Sequence, residues 1–167
     1  MKADSIITAL DMQPLPKEGG FFSVVSRSDD SIRGEDLNFE GSRCLYGTIY
    51  YLETRDSFSL LHQLFIDEVY YYHLGDPLEM LILDRGGQGE IALLGSDILS
   101  NQRPQILTPK GCIHGSRPLP GGEHGFTLMS TSMAPGYEEG DSTFPSREDL
   151  IKTHPQFESM IRSLTAF

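Results

Sequence analysis

The sequence predicts an all-β fold, an antiparallel jelly-roll barrel with a short helix at each terminus. Strand-like segments recur at hairpin-like spacing and are separated by turn-forming residues. An α/β fold would need a helix between successive strands, and no helical pattern lies between these segments. A chain of 167 residues is long enough for one domain with a core and too short for two. We therefore expect a single domain over residues 1–167.

The helices are expected at the two ends of the chain. Residues 4–11 carry an apolar i, i+1, i+4 face, and the prolines and glycines of residues 14–20 end this helix. Near the other end, residues 146–149 resemble a capping box with Asp in place of Glu. The final helix is predicted to begin at residues 153–155, where a proline can occupy its first turn.

The strands are predicted from alternating apolar residues bounded by turns. They lie at residues 21–27, 44–53, 57–65, 68–73, 89–94, 105–108, 112–116 and 126–133, with one more in the apolar run that ends at Leu83. Residues 28–42 are polar and have no sustained period, so we expect a surface loop there or, alternatively, a lid.

The charge balance excludes several classes of partner. The chain has 13 Lys and Arg residues and 24 Asp and Glu residues, which gives a formal charge of −11. Phosphate backbones and anionic membrane surfaces attract basic proteins, so we expect no nucleic acid and no membrane partner. The N-terminal residues lack a signal peptide, and no apolar run reaches membrane-spanning length. We expect a soluble, cytoplasmic protein in which Cys44 and Cys112 are free thiols.

Residues 57–83 hold most of the candidate functional side chains. In a strand over residues 57–65, the period of two places His62 on an otherwise apolar face. The other residues of that face are Phe58, Leu60 and Leu64. In the next strand an acid and two phenols share one face, and these are Glu68, Tyr70 and Tyr72. Such a face is typical of a polar pocket wall.

Several of these residues stand at the intervals of two motifs, G-x5-H-x-H-x3/4-E-x6-G and G-x5-P-x-G-x2-H-x3-N. The matching residues are His62, Glu68 and Gly75 for the first motif, and Pro109, Gly111 and His114 for the second. The sequence departs from the motifs at Asp56, Leu64, Arg103 and Pro118. The two motifs are those of the cupin superfamily, which the chain therefore resembles. Because Leu64 stands where the first motif has its second histidine, the full set of four metal ligands is absent.

The whole chain resembles one branch of that superfamily, the single-domain cupin type 5 proteins of unassigned function, which are likened to the dTDP-4-dehydrorhamnose 3,5-epimerases. The resembling segments are residues 18–22, 27–28, 48–52, 58–62, 67–68, 75–78, 94–95, 104–105, 109 and 134–136. The resemblance implies a cupin-type barrel with a small-molecule pocket. The ligand-binding residues that we assign with it are Glu18, Arg27, Thr48, Asp67, Tyr70 and Gln105. A surface salt bridge explains Glu18 and Arg27 equally well.

Two classes of function are consistent with these residues. The first is an epimerase or isomerase of a carbohydrate derivative, in which His62 removes a proton α to a carbonyl group. Glu68 or its neighbour Asp67 would orient His62, and Tyr72 would return a proton from the other face. A nucleotide-linked sugar needs cations at the pocket mouth, where the candidates are Arg27, Arg43 and Arg103. The second class is a non-catalytic barrel that binds a small ligand.

A metal-dependent enzyme is a further alternative. The two imidazoles and one carboxylate of His62, Glu68 and His114 can bind a divalent transition metal ion and leave positions open. A site with fewer protein ligands holds its ion more weakly, and Leu64 removes one donor. We therefore favour a protein without a tightly bound metal or other cofactor.

We also expect a homodimer. An open barrel leaves a sheet edge that a second copy can cover. The strand-rich residues 44–53 are the candidate contact.

Overall fold

The computed structural model describes residues 1–36, 39 and 41–165. Its strands are β1 (Gln13–Pro14), β2 (Phe21–Arg27), β3 (Ser31–Arg33), β4 (Ser42–Cys44), β5 (Gly47–Thr54), β6 (His62–Leu64), β7 (Glu68–Gly75), β8 (Leu78–Leu83), β9 (Gly89–Leu94), β10 (Gln105–Thr108), β11 (Ile113–Pro118), β12 (Phe126–Met133) and β13 (Ser142–Thr143). The α-helices are α1 (Ala3–Ala9), α2 (Arg147–Thr153) and α3 (Glu158–Ser163), and 3₁₀ turns lie at Gly34–Asp36, Ile98–Ser100 and Pro155–Phe157.

Two antiparallel sheets form the barrel. The larger sheet has six strands in the order β1-β2-β5-β12-β7-β10, and the smaller has five in the order β13-β6-β11-β8-β9. Side chains of both sheets share one apolar core, in which Tyr51 and Met129 of the larger sheet pack with Met80 and Leu94 of the smaller. This arrangement confirms the predicted all-β antiparallel jelly roll.

Helices cover the outer face of each sheet. The N-terminal helix α1 buries Ile6 in a cluster with Leu52 and Phe126 of the larger sheet. The C-terminal helices α2 and α3 pack Leu150 and Ile161 on the smaller sheet. Strand β8 is therefore buried on both sides, because its alternate residues face the core and these helices. A helix is confirmed at each terminus, but the predicted start of the final helix at residues 153–155 is wrong: α2 ends at Thr153, and α3 begins at Glu158 after a 3₁₀ turn.

The cap predicted at residues 146–149 is confirmed. The Ser146 side chain accepts a hydrogen bond from the backbone N–H of Asp149, which satisfies one of the free amides at the start of α2. The same hydroxyl donates to the Asp149 carboxylate over 2.7 Å. Pro155 ends the first helix and opens the 3₁₀ turn that leads to α3.

The predicted strand over residues 57–65 is too long, since only His62–Leu64 pairs in a sheet. Before β6 the backbone bonds to partners outside any ladder: the N–H of Leu60 donates to the carbonyl of Glu18 over 2.9 Å, and that of Leu61 to Leu164 over 2.7 Å. Without a ladder the period of two does not hold. Phe58 therefore packs toward the C-terminal helices and does not share a face with His62.

The surface loop predicted at residues 28–42 contains a small sheet instead. Strands β3 and β4 pair antiparallel, with Ser31 opposite Cys44. The sequence did not predict this pairing, because neither strand has a buried apolar face that would produce an alternating pattern. Residues 37, 38 and 40 of the predicted loop lie outside the described residues.

The strand predicted at residues 44–53 is divided between β4 and β5, and β5 has no open edge. It lies between β2 and β12 and pairs with both. A second copy therefore cannot pair with β5 as the predicted dimer contact required. The homodimer itself stays a prediction. Cys44 and Cys112 are free thiols, as expected. Within the described ranges, no helix has the length and apolarity to cross a membrane.

Candidate functional site

Three polar side chains from both sheets meet inside the barrel: His62 on β6, Glu68 on β7 and His114 on β11. We call them the His–Glu–His triad. His62 and His114 are directly opposite each other in an antiparallel pair, which places their side chains on one face with ring centroids 4.4 Å apart. One donor atom from each of the three residues lies within 4.8 Å of the other two. The convergence predicted from the motif spacing is confirmed.

The hydrogen bonding of His62 fixes its neutral tautomer. Its Nδ1 lies 2.8 Å from the carbonyl oxygen of Leu60, and a carbonyl can only accept. In the neutral ring Nδ1 therefore donates, and Nε2 carries the lone pair. This Nε2 is buried and has no hydrogen-bond partner. A backbone carbonyl that holds one ring nitrogen while the other points into a site is the usual arrangement around a metal-binding histidine.

His114 and Glu68 form a buried pair. Nε2 of His114 lies 3.3 Å from Oε2 of Glu68, while Nδ1 of His114 is buried without a partner. Burial lowers the pKa of His114, so its ring is neutral at pH 7. Burial alone would raise the pKa of Glu68, but its hydrogen bond with His114 and its electrostatic interaction with both imidazoles outweigh burial and hold that pKa below its ordinary value. A neutral imidazole thus faces an ionised carboxylate.

Glu18 adjoins the triad from the N-terminal segment. Its Oε2 lies 3.6 Å from Nε2 of His62, and its Oε1 accepts a hydrogen bond from Ser59 over 3.1 Å and lies 3.2 Å from the Tyr51 hydroxyl. Burial raises the pKa of Glu18, although the charge of His62 opposes this. The next residue, Gly19, has a φ of 103°, and a Cβ there would lie 2.3 Å from the Phe58 carbonyl oxygen. Only glycine permits the turn that brings Glu18 into the barrel.

A further buried acid lies near Glu18. Glu53 has no exposed surface, and burial raises its pKa to about 8. Ser116 donates to its Oε1 over 2.6 Å, while its Oε2 has no partner. The hydroxyl of Tyr70 is also buried without a partner, and its ring centroid is 5.9 Å from that of His114. Several polar atoms around the triad are thus left without hydrogen bonds.

A cavity of about 580 Å³ opens beside the triad. The polar part of its inner wall consists of the buried residues Tyr51 and Glu68 and the half-buried Glu18. The apolar part of the wall consists of Leu15, Phe22, Val24, Ile49, Leu64, Met133 and Phe144. Exposed charged residues line its mouth, namely Lys17, Arg27 and Glu139.

The structure brings some of the predicted site residues to this cavity. Glu18, Arg27, Thr48 and Glu68 line it. His62 and Tyr70 are fully buried beside it. Arg27 also pairs with Glu138 over 2.6 Å, so the salt bridge weighed as its alternative role is present.

Three other predicted residues lie away from the cavity wall. The Tyr72 hydroxyl donates to the carbonyl of Gly75 over 2.7 Å. Asp67 is exposed and accepts from the backbone N–H of Lys110 over 2.7 Å. Gln105 is exposed on β10, which is an edge strand of the larger sheet. Tyr72 is bound to a residue of its own turn and Asp67 to a distant loop, and motif spacing reveals neither hydrogen bond.

Sequence reasoning missed Tyr51, Glu53, Ser59 and Ser116. One signal for the first two was available, because Tyr51 and Glu53 alternate with Leu52 in an otherwise apolar strand and so share a face. An acid at such a position predicts a buried carboxylate with a polar partner. Ser59 and Ser116 had no comparable signal, since single serines are common in loops and on strands.

Comparisons with known proteins agree with this fold. A structure of a hypothetical protein from Leishmania major is 30% identical, with a TM-score of 0.88 over 100% of both chains. A structure of a protein from Shewanella oneidensis is 32% identical, with a TM-score of 0.86 over 99% of this chain and 98% of that one. The oxalate decarboxylase of Bacillus subtilis is similar in fold alone, at 13% identity and a TM-score of 0.51 over 92% of this chain and 37% of the decarboxylase.

Among curated proteins, none matches the chain significantly. The family model described as Cupin superfamily (DUF985) matches residues 4–145. This match covers most of the chain, and it includes all three residues of the triad. The chain therefore belongs to the DUF985 family of the cupin superfamily.

Proposed function

We propose that this protein binds a divalent transition metal ion at the His–Glu–His triad and a small molecule in the adjoining cavity. One observation carries the proposal: the three donor atoms lie within 4.8 Å of one another, while Nε2 of His62 is buried without a partner. An unpaired buried polar atom is costly, and a bound ion would satisfy the imidazole lone pair that points into the site.

The chemical character of the donors fits such an ion. Two neutral imidazoles and one ionised carboxylate are the ligand set that suits Zn, Fe, Mn or Ni, and three protein ligands leave positions open for water or a substrate. When bound, the ion would act as a Lewis acid toward an oxygen atom of the small molecule. The residues of the chain would hold the ion, orient the ligand and limit access of water to the site.

The charges around the cavity favour an uncharged, hydroxyl-bearing ligand of the carbohydrate kind. Glu18 and Glu68 line the inner wall, and Thr48 and Thr131 supply hydroxyl groups. The cations among the described lining residues are Lys17 and Arg27, and Arg27 is already paired with Glu138. A pyrophosphate would find too few cations here, so we do not favour a nucleotide-linked sugar.

A sugar epimerase or isomerase is the second candidate function. The unpartnered Nε2 of His62 is also what a general base requires. Tyr72 is poorly suited to return the proton, because its hydroxyl is bound to Gly75. Tyr51 lines the cavity, but burial holds its pKa well above the ordinary value and its hydroxyl donates to the Gly19 carbonyl over 2.8 Å, so it is no better placed than Tyr72 to return the proton. Turnover that survives removal of metal by a chelator would favour this function.

The test of metal binding uses protein purified without a chelator or a His-tag. We expect close to one equivalent of Zn²⁺ or Mn²⁺ per chain after loading and dialysis, and a higher melting temperature in the presence of metal. His114→Asn should lose both effects, because it removes a ligand. His154→Asn is the matched control, since His154 is equally buried but both of its ring nitrogens have protein partners. Binding that persists in His114→Asn, or no binding by the wild type, would contradict the proposal.

A further inference from the structure

We propose that Glu18 is a fourth protein ligand of this metal site. It would replace the second histidine of the first motif, whose position is occupied by Leu64 in this chain. The proposal rests on the proposed metal-binding function. It assigns the missing donor to a segment outside both motifs, because Glu18 precedes β2 and reaches the barrel interior through the turn at Gly19.

The first argument is that two acceptor atoms face each other. In the neutral ring Nε2 of His62 carries a lone pair, because Nδ1 donates to Leu60, and Oε2 of Glu18 lies 3.6 Å away. This distance is too long for a hydrogen bond. A cation bound by both atoms would satisfy the unpartnered Nε2 and neutralise the carboxylate. The pair therefore has the character of a cation site.

The second argument is distance. Ligand bonds of about 2.1 Å to a tetrahedral zinc ion place neighbouring donor atoms about 3.4 Å apart. The separation of His62 Nε2 and Glu18 Oε2 is 3.6 Å, and that of His114 Nε2 and Glu68 Oε2 is 3.3 Å. Each separation is that of two neighbouring ligands on an ion. The Glu18 carboxylate lies outside the 4.8 Å cluster of the triad, so it would move toward Glu68 and His114 to share their ion. Glu18 adjoins the triad on the side of His62.

The third argument is the support of the carboxylate. Ser59 donates to Oε1 of Glu18 over 3.1 Å, and the Tyr51 hydroxyl, which donates to the Gly19 carbonyl over 2.8 Å, lies 3.2 Å from the same oxygen. Oε2 is left directed at His62. Hydrogen bonds of this kind hold a metal-binding carboxylate in its orientation. If Glu18 is a metal ligand, the positions of Tyr51 and Ser59 around its carboxylate have a function, because they fix its orientation.

The fourth argument concerns Leu64 and charge. Leu64 is buried two residues after His62 on β6, lines the same cavity as Glu18 and offers no donor. A donor from position 18 completes four protein ligands. The charges of Glu18 and Glu68 would also balance those of a divalent ion, whereas the buried ion and a single carboxylate would leave an excess positive charge.

The test compares metal affinities of the full-length chain. Glu18→Gln keeps the shape of the side chain and removes its charge, and we expect the Kd for Co²⁺ and Zn²⁺ to rise about 100-fold. Glu90→Gln is the control for loss of a negative charge, because Glu90 is exposed on β9 and lines neither the triad nor the cavity, and it should leave both Kd values unchanged. An unchanged Kd in Glu18→Gln would overturn the proposal.

Two further variants separate a metal ligand from a residue that only orients one. In Glu18→His the electron paramagnetic resonance spectrum of bound Cu²⁺ should report three nitrogen ligands, where the wild type reports two. Leu64→His in the Glu18→Gln background should restore the affinity, since it returns a donor to the motif position. Two nitrogens in Glu18→His, or no recovery with Leu64→His, would contradict the proposal. Failure of the wild type to bind any of these ions would overturn the proposed function together with this inference.

Discussion

The buried histidine at the end of α2 and the two buried histidines inside the barrel differ in how their ring nitrogens are hydrogen-bonded. His154, at the end of α2, has a partner for each ring nitrogen: Thr153 Oγ1 lies 2.8 Å from Nδ1, and the Asp84 carbonyl oxygen lies 2.9 Å from Nε2. In the barrel, Nε2 of His62 and Nδ1 of His114 have no partner. His154 connects a helix to the turn after β8, which is a structural role. The two barrel histidines keep hydrogen-bonding or ligating capacity that the described chain does not use.

The buried acids repeat this difference. Asp76 lies in the turn between β7 and β8, and its two oxygens accept backbone hydrogen bonds from His124 over 2.9 Å and from Gly125 over 2.6 Å. Glu53 leaves one oxygen without a partner, and Glu18 directs one toward another acceptor. The carboxylate of Asp76 thus joins its turn to the loop before β12 and is fully satisfied there. A polar group that serves a ligand is incomplete until the ligand arrives, and this distinction separates the candidate site from the rest of the interior.

The largest expected effect is a loss of stability when Asp76, whose two oxygens are both hydrogen-bonded, is replaced. Asp76→Ala removes both hydrogen bonds to a charged acceptor and leaves two backbone amides without partners. At about 2 kcal/mol for each such bond, the free energy of unfolding should fall by roughly 4 kcal/mol. The Kd for Zn²⁺ should not change, because Asp76 lies outside the triad. Urea unfolding and calorimetric titration measure the two quantities, and a large change in Kd would erase the proposed division between the regions.

The next effect is the pH dependence that Glu53 gives to stability. Burial raises its pKa from 4.5 to about 8, so between these pH values the folded protein keeps a proton that the unfolded chain has released. The free energy of unfolding therefore decreases as the pH rises through this window and is level on either side. At pH 7 the free energy of unfolding is therefore about 3 kcal/mol lower than it would be if the pKa of Glu53 were the same in the folded and unfolded chains.

Glu53→Gln imitates the protonated acid and should remove this deficit. We expect the metal-free variant to be about 3 kcal/mol more stable than the wild type at pH 7, with little difference at pH 4. Unfolding curves collected from pH 4 to pH 9 measure the change. Glu139→Gln serves as the control, because an exposed acid should not alter the slope. A wild-type stability that is independent of pH in this window would show that Glu53 is ionised and has an unseen partner.

The part of the site that follows from strand geometry was predictable from the sequence. His62, Glu68 and His114 lie on strands, and period-two alternation together with the motif spacing brings them into one barrel interior. The fold was predictable for the same reason, because buried strands such as β8 and β12 have the apolar content and the bounding turns that mark a strand.

The remaining part depends on contacts between distant segments. Nothing in the spacing of Glu18 indicates that its carboxylate lies 3.6 Å from His62. The short extent of β6 also escaped prediction, because residues before it bond to the N-terminal segment and to Leu164, which only the folded chain brings near. Tyr72 has the correct parity for the pocket, yet its hydroxyl bonds to the turn at Gly75. Local pattern predicts the face of a strand, and tertiary contacts decide how each side chain on that face is used.

The smallest expected effect on the metal-free protein is that of His62→Asn, and it gives the sharpest view of the two histidine groups. The change removes one hydrogen bond, from Nδ1 to Leu60, and an unpartnered nitrogen, so the free energy of unfolding should fall by about 1 kcal/mol or less. His154→Asn should have the larger effect, because both of its ring nitrogens are bonded.

With metal present, His62→Asn should become the less stable of the two variants. The wild type and His154→Asn should gain about 2.7 kcal/mol at a metal concentration 100 times the Kd, whereas His62→Asn should gain little. Turnover of a true substrate, if His62 is a general base, should fall by roughly 10²-fold in His62→Asn alone. If His62→Asn instead unfolds as readily as His154→Asn and still responds to metal, then His62 is structural and the contrast between the two regions does not mark a site.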